Sequence, residues 1–265
     1  MNLTPVSARE VVHLLILREL SRVRDGNVVS LKGGVNLRLF FDSIRYSEDI
    51  DLDGEPEASL EIRNCIAGVF EDRHFTRQLQ ERGIRGLDPG EGPNKDSDTT
   101  YRYKFNLELP GNIRYPTKVE VSFRERYVGD EAVVEAPAVG ILQPYGIESI
   151  PVRHYVRPAA VRQKIDALGR RREAQARDIF DLTILVNSTP SDELLTFLAD
   201  GLEGPVLEEA RRRSLDISFS EYQGQVVEFL SEDDQTRFGT EEVWDALRLQ
   251  VEDLVGGVMK RKGGE

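Results

Sequence analysis

Three aspartates alternate with two apolar residues near position 50: Asp49, Ile50, Asp51, Leu52, Asp53. On a strand, side chains repeat every second residue, so the aspartates share one face and Ile50 and Leu52 the other. Carboxylates crowded in this way repel. At an effective dielectric of about 20, two of them ~4 Å apart cost roughly 4 kcal/mol. Protonation, open water or a divalent cation can offset that cost, and the alternation alone leaves all three open. Mg²⁺ suits the third answer, because it takes one or two carboxylates together with phosphate oxygens.

The elements upstream bear on the choice. Val28 to Leu31 reads as a short strand, Lys32-Gly33-Gly34 ends it, and Val35 to Phe41 reads as a helix. Strand, Gly-Gly, helix is a phosphate cradle: bare backbone N–H groups and a helix N-terminus favour an anion. Gly-Gly alone is more often an ordinary turn. Here it is followed by R-x-S-x-D-I-D from Arg45 to Asp51. The combination Lys32, Gly33, Gly34, Arg45, Ser47, Asp49 and Asp51 resembles the AbiEii family of nucleotidyltransferase toxins, which includes the mycobacterial MenT group of type IV toxin–antitoxin systems. One position departs: the family's small hydroxyl residue after the two glycines is Val35 here, which has no hydroxyl to offer a phosphate.

Further motifs extend the resemblance. Thr117 to Phe123 alternates as a strand, with Lys118, Glu120 and Ser122 on one side. Polymerase-β-like nucleotidyltransferases carry a third carboxylate on such a strand, and the resemblance makes Glu120 the candidate. Lys164-Ile165-Asp166-Ala167-Leu168 and Arg177-Asp178-Ile179-Phe180-Asp181-Leu182 resemble the family's K-x-x-A-L and R-D-x-x-D-L motifs. Asp178 and Asp181, three apart, share a helix face. One is expected to hold Lys164 or Arg177, and the other to contact the nucleotide. Without the first motif, an amphipathic helix with surface ion pairs would explain these residues equally well.

The remaining chain must supply the scaffold. Ser7-Ala8-Arg9-Glu10 has capping-box spacing, which predicts a helix over 7–24 with Ser7 as N-cap. A second helix is expected over 58–81, then a mobile Gly/Pro/Asp-rich loop to Thr99. Tyr101 to Leu109 forms a hairpin with the Glu120 strand through Pro110-Gly111-Asn112. Residues 124–152 read as a connector of short extended pieces. Helices are expected at 158–168, 178–186, 191–201, 204–213, 219–231 and 240–259, with Trp244 in the packing. The fold class is α+β. A polymerase-β-like mixed sheet with flanking helices occupies 1–152, and a mainly helical domain over 153–265 contributes Lys164 and Asp178 to the site.

Net charge is −12, which argues against non-specific nucleic-acid binding by global attraction. The charge is uneven, however: Arg153, Arg157, Arg162, Lys164, Arg170, Arg171, Arg172 and Arg177 are opposed between 153 and 177 only by Asp166 and Glu173. Arg170, Arg171 and Arg172 are therefore candidate RNA contacts. Cys65 is the only cysteine, so a cysteine zinc cluster is excluded, and His13, His74 and His154 are scattered. No apolar run approaches membrane-spanning length, no signal peptide is evident, and a cytoplasmic protein is expected.

What the resemblance implies is Mg²⁺- or Mn²⁺-dependent transfer of a nucleotide from an NTP. Asp49, Asp51 and Glu120 would bind metal. Lys32, Gly33, Gly34, Arg45, Ser47, Lys164, Asp178 and Asp181 would bind the nucleotide. The implied acceptor is the 3′ end of tRNA, with blocked translation as the outcome and an antitoxin encoded nearby that need not bind directly. Two alternatives stay open: a nucleotidyltransferase for a small cationic molecule such as an aminoglycoside, and an inactive binding protein on the same fold.

Overall fold

Helix α1 (Pro5–Leu20) starts one turn earlier than the capping-box spacing suggests. The Thr4 side chain accepts from the Ser7 amide at 3.2 Å, and Pro5 takes the first turn, where its missing N–H costs nothing. Thr4 and Ser7 both have capping chemistry; the proline fixes which is used. The computed structural model describes residues 3–124, 131–187 and 189–264. They form two compact units, Met1–Phe40 with Tyr46–Tyr155, and Phe41–Arg45 with Val156–Glu265.

In the first unit α1 is followed by β1 (Val29–Lys32), α2 (Gly33–Phe40), β2 (Ile50–Gly54), α3 (Ser59–Gly68) and α4 (Arg73–Glu81). The single helix expected over 58–81 is thus two, because Asp72 caps a new start through His74 N at 2.7 Å. The loop expected to run to Thr99 holds two short strands, β3 (Gly86–Asp88) and β4 (Lys95–Ser97), both paired with β5 (Thr100–Leu109). Then come β6 (Ile113–Ser122), β7 (Ala132–Glu135), α5 (Val139–Leu142) and β8 (Val152–Tyr155); the stretch 125–130 of the connector lies outside the described residues.

These strands make one mixed sheet in the order β3-β5-β6-β2-β1-β8-β7, with β4 beside β5. Ile50, Leu52, Val119 and Val121 are fully buried on its apolar face. Each contributes roughly 1.5–3 kcal/mol, enough together to hold the opposite, carboxylate-bearing face in register despite its repulsion. Two polar groups of α1 that enter the core, Glu10 and His13, are matched. Glu10 accepts from Arg38 Nε at 2.7 Å and from the Tyr145 hydroxyl at 2.9 Å. Thr117 Oγ1 donates to the Glu48 carbonyl at 2.7 Å and meets His13 Nε2 at 2.9 Å. The hydroxyl proton is already committed to Glu48, so His13 Nε2 must carry the donor.

The second unit is helical: α6 (Arg157–Arg170), α7 (Ala176–Leu185), α8 (Asp192–Gly201), α9 (Gly204–Asp216), α10 (Phe219–Gln225), α11 (Glu232–Phe238) and α12 (Glu241–Gly263). Caps set the boundaries: Ser191 for α8, the Ser218–Glu221 capping box for α10 and Thr240 for α12. Gly169 lets α6 approach α9, since a Cβ there would lie 2.5 Å from the Val206 carbonyl oxygen. Trp244 is fully buried, stacks on Tyr222 at 4.3 Å and donates to the Ile217 carbonyl at 3.1 Å.

Burial, and secondarily the Arg9 charge, lower the His13 pKa from 6.5 to about 3. The unfolded chain therefore takes up this proton first, and stability falls as pH drops from about 6.5 toward about 3. One such proton is worth ~1.4 kcal/mol per pH unit. In urea unfolding across that window, His13→Gln is expected to be less stable at neutral pH but to lose less on acidification. Parallel pH dependences would remove His13 from the acid response.

Candidate active site

The centre of the site is a row of side chains across neighbouring strands. Lys32 of β1 is paired with Asp51 of β2, Asp51 with Glu120 of β6, and Glu120 with Arg102 of β5. Register neighbours share a sheet face, so Lys32, Asp51, Glu120 and Arg102 line one surface. Two carboxylates are thereby flanked by two cations. Arg102 Nε donates to Glu120 at 2.5 Å, and Lys118 Nζ lies 2.9 Å from Asp49 Oδ2. The third aspartate of the alternation is differently placed. Asp53 is buried, paired with Lys32, and accepts from the Tyr155 hydroxyl at 2.9 Å.

The electrostatics separate the carboxylates. Burial raises the Asp51 pKa, Asp49 and Glu120 raise it further, and Lys118 and Lys32 offset only part. For Glu120, burial acts upward, but the hydrogen bond and charge of Arg102, with Lys118 and Lys32, outweigh it and hold the pKa below the usual range. Asp51 is thus the anion most in need of a counter-charge.

The Gly-Gly turn expected to cradle phosphate abuts that same residue. Gly33 opens α2 with φ +69°, and a Cβ there would sit 2.8 Å from Asp51 Oδ2. Both conformation and space require glycine. Gly34 continues the first turn, whose N–H groups have no intrahelical partners. Val35 is buried in the core, so the helix turns this position inward and offers no side-chain contact to phosphate. Ser47 Oγ donates to the Asp49 carbonyl at 3.0 Å and shapes the approach to β2.

The second constellation forms inside the helical unit. Lys164 Nζ lies 3.0 Å from Asp178 Oδ1 and 2.6 Å from Asp181 Oδ2. Arg45 grips Asp181 through Nη2 at 2.9 and 3.1 Å and Nε at 3.3 Å, and Arg171 Nη1 donates to Asp178 Oδ2 at 2.7 Å. Asp178 and Asp181 are fully buried. Burial raises the Asp181 pKa, but Arg45 and Lys164 more than reverse it, so the pKa is lowered. Both aspartates thus hold Lys164, whereas Arg177 Nε donates to Gln175 at 2.6 Å. Arg170 pairs with Asp166 and Glu203. Arg172 instead lines a cleft of about 430 Å³ with Arg212 and Arg213.

Arg102 and Lys118 were not among the site residues read from sequence, and Arg171, read there as an RNA contact, pairs with Asp178, a partner the sequence did not show. The hairpin held the signal for Arg102: the turn at Pro110–Asn112 pairs Leu109 with Ile113, and counting back places Arg102 opposite Glu120.

A family profile described as nucleotidyl transferase AbiEii toxin, type IV TA system, matches residues 15–253. This chain belongs to the AbiEii nucleotidyltransferase toxin family. Among solved structures, the AbiEii chain is similar to MenT4, a nucleotidyltransferase toxin from Mycobacterium tuberculosis, with TM-score 0.61, 17% identity, and coverage of 95% of this chain and 84% of that one. It is also similar to JHP933 from Helicobacter pylori, with TM-score 0.56, 17% identity and coverage of 100% and 96%. At these identities the likeness concerns the fold. No curated protein matches the AbiEii chain.

Among the described residues, no set of three or more His, Cys, Asp or Glu side chains forms a metal cage. Mg²⁺ does not need one, since it keeps waters and takes one or two carboxylates beside substrate phosphates. Asp51, with a raised pKa, beside Asp49 and against the glycine cradle, fits that donor set.

In this AbiEii protein, Asp51→Asn is expected to be at least as heat-stable as wild type in chelator, and to lose the Mg²⁺-induced rise in Tm, which should shrink in wild type as falling pH protonates Asp51. An undiminished Mg²⁺ shift in the variant would exclude Asp51 as a ligand. Lys164→Ala leaves two buried carboxylates short of a cation and is expected to lower the unfolding free energy by about 3 kcal/mol. Denaturant unfolding measures it, and an unchanged midpoint would show the network to be dispensable.

Proposed function

We propose that this nucleotidyltransferase uses Mg²⁺ to transfer a nucleotide from an NTP to the 3′ end of tRNA in the cytoplasm, blocking translation until a nearby-encoded antitoxin counters it. The observation that supports the reading is the fit of Gly33 against Asp51, with Glu120 next in the same row. In this reading a phosphate cradle stands beside a carboxylate pair. In this reading Asp49 and Asp51, with Glu120, hold the metal, which supplies charge neutralisation for the phosphates. The Gly33 and Gly34 amides bind phosphate oxygens. Lys32 adds positive charge beside Asp51, and Ser47 orders the chain leading to it.

Glu120, held ionised by Arg102, suits an anionic role better than that of a base, since a low pKa makes a weak proton acceptor. Lys164 carries over from the family resemblance as the triphosphate-facing lysine. Asp178 and Asp181 occupy two of its three donors and leave one for a phosphate oxygen. Of the three arginines proposed as RNA contacts, Arg170 and Arg171 are engaged in ion pairs, so Arg172 is the strongest candidate.

The test is incubation with each labelled NTP and total tRNA, with Mg²⁺ or with chelator. Label is expected in tRNA only with Mg²⁺, and Asp49→Asn and Asp51→Asn are expected to lower the rate at least ~10²-fold, the scale of losing a key electrostatic group. Label on an aminoglycoside but not on RNA would replace the acceptor. No transfer to any acceptor would favour a binding protein on this fold.

A further inference from the structure

A cleft of about 710 Å³ opens beside Asp49, between β5, β6 and the loop 89–94. Its lining includes Lys104, Lys118, Asn94 and Asn106, none of them among the site residues expected from sequence. The strand order gives it a direction. Gly33, at the end of β1, lies to one side of Asp51, while β6 and β5 lie to the other. Nucleotidyl transfer is an in-line displacement, so the attacking hydroxyl must stand opposite the leaving pyrophosphate. If the donor's phosphates lie on the Gly33 cradle, the acceptor approaches over β6 and β5, where the cleft is.

The volume lies within the usual range for small-ligand pockets. The charges select the ligand. Of the three carboxylates in the lining, Asp49 is neutralised by Lys118 at 2.9 Å, Glu48 is within 3.8 Å of Arg9, and Glu91 is exposed on the loop 89–94, away from the β5–β6 floor in sequence. A metal on Asp49 would take over the first of these duties and release the Lys118 ammonium into the cleft. Lys104 is exposed two residues beyond Arg102 on the same strand face. The Asn94 amide, turned to donate to the Arg102 carbonyl at 2.9 Å, accepts from Lys104 Nζ at 3.3 Å and ties the loop to β5. Asn106 continues the Lys104 face, its amide offering a donor and an acceptor to a base edge. On the β5–β6 floor, two ammonium groups beside a neutral amide suit a phosphodiester and a base.

We propose that this cleft is the acceptor site and receives the 3′-terminal nucleotide of an RNA strand, with Lys104 and Lys118 on its phosphate and Asn106 on its base. The proposal rests on the nucleotidyl-transfer reading above. The 3′-hydroxyl oxygen forms the new bond to the α-phosphorus of the NTP, the bond to the bridging oxygen breaks, pyrophosphate leaves, and the hydroxyl proton passes to water.

The test uses Lys104→Glu and Asn106→Ala in the full-length protein, with a short single-stranded oligoribonucleotide as probe. Lys104 is exposed, so both variants are expected to fold, which thermal unfolding verifies. Lys104→Glu is expected to weaken oligoribonucleotide binding about tenfold and to flatten the slope of log K against log salt by ~0.7 for each phosphate that goes unneutralised. In the transfer assay both variants should raise the KM for RNA and leave the KM for NTP within about twofold of wild type, a split that general damage to the fold would not give. Equal RNA affinity in wild type and Lys104→Glu would overturn the cleft while leaving nucleotidyl transfer intact. Weakened RNA binding in a protein that transfers nothing would keep the cleft as an RNA site and sink the transfer reading. Tighter aminoglycoside binding by Lys104→Glu, with RNA ignored, would also overturn the proposal.

Discussion

Like charges held in a row are the constraint on which the N-terminal unit is built. Asp51 and Glu120 are register neighbours, and Asp49 precedes Asp51 by two residues. A sheet cannot move them apart, because its apolar face buries Ile50 and Val119 in the same register. The repulsion is met laterally instead, by Arg102 on Glu120, Lys118 on Asp49 and Lys32 on Asp53. Asp51 is left with the poorest compensation, and its raised pKa records it. Such a position favours whatever cation can reach it, which is the property a metal-dependent phosphoryl-transfer site requires.

The helical unit solves the opposite problem. Its carboxylates, Asp178 and Asp181, are fully buried and can remain charged only if each is paired. Lys164 bridges the two, and Arg45 and Arg171 close the ends. The result is a rigid mount for one ammonium rather than an open surface of charge. The basic stretch 153–177 is accordingly less a uniform face than a set of distinct duties. Arg157, for instance, donates to the Leu185 carbonyl at 2.9 Å and sits over the Phe41 ring.

Much of this was legible in the chain. Period-two alternation marked β2 and β6, and a Pro-Gly-Asn turn marked β5, the hairpin partner of β6. Glycine after a strand marked the turn into α2, and most helical stripes of the C-terminal half became helices, although the one expected over 219–231 ends at Gln225 and α11 begins at Glu232. What escaped depends on partners distant in sequence. The break between α3 and α4 hides under a continuous apolar stripe and is set by one cap, Asp72. Strands β3 and β4 lie in a segment whose composition signals a loop, and β5 imposes their extended form. The cations Arg102 and Lys118 are ordinary surface residues until register gives each a carboxylate, and the pairing of Arg171 with Asp178 likewise comes from helix packing. Val35 shows the converse: a departure from the family pattern is readable at once, but only its burial explains it.

The excursion of Phe41–Arg45 into the C-terminal unit has a practical consequence. Neither unit is a contiguous piece of chain. A protein cut near residue 155 would carry Arg45 away from Asp181, leaving that fully buried carboxylate with Lys164 but without its arginine. Fragment expression, domain swapping between relatives and split-protein reporters would therefore all have to respect a seam that crosses the backbone three times rather than once.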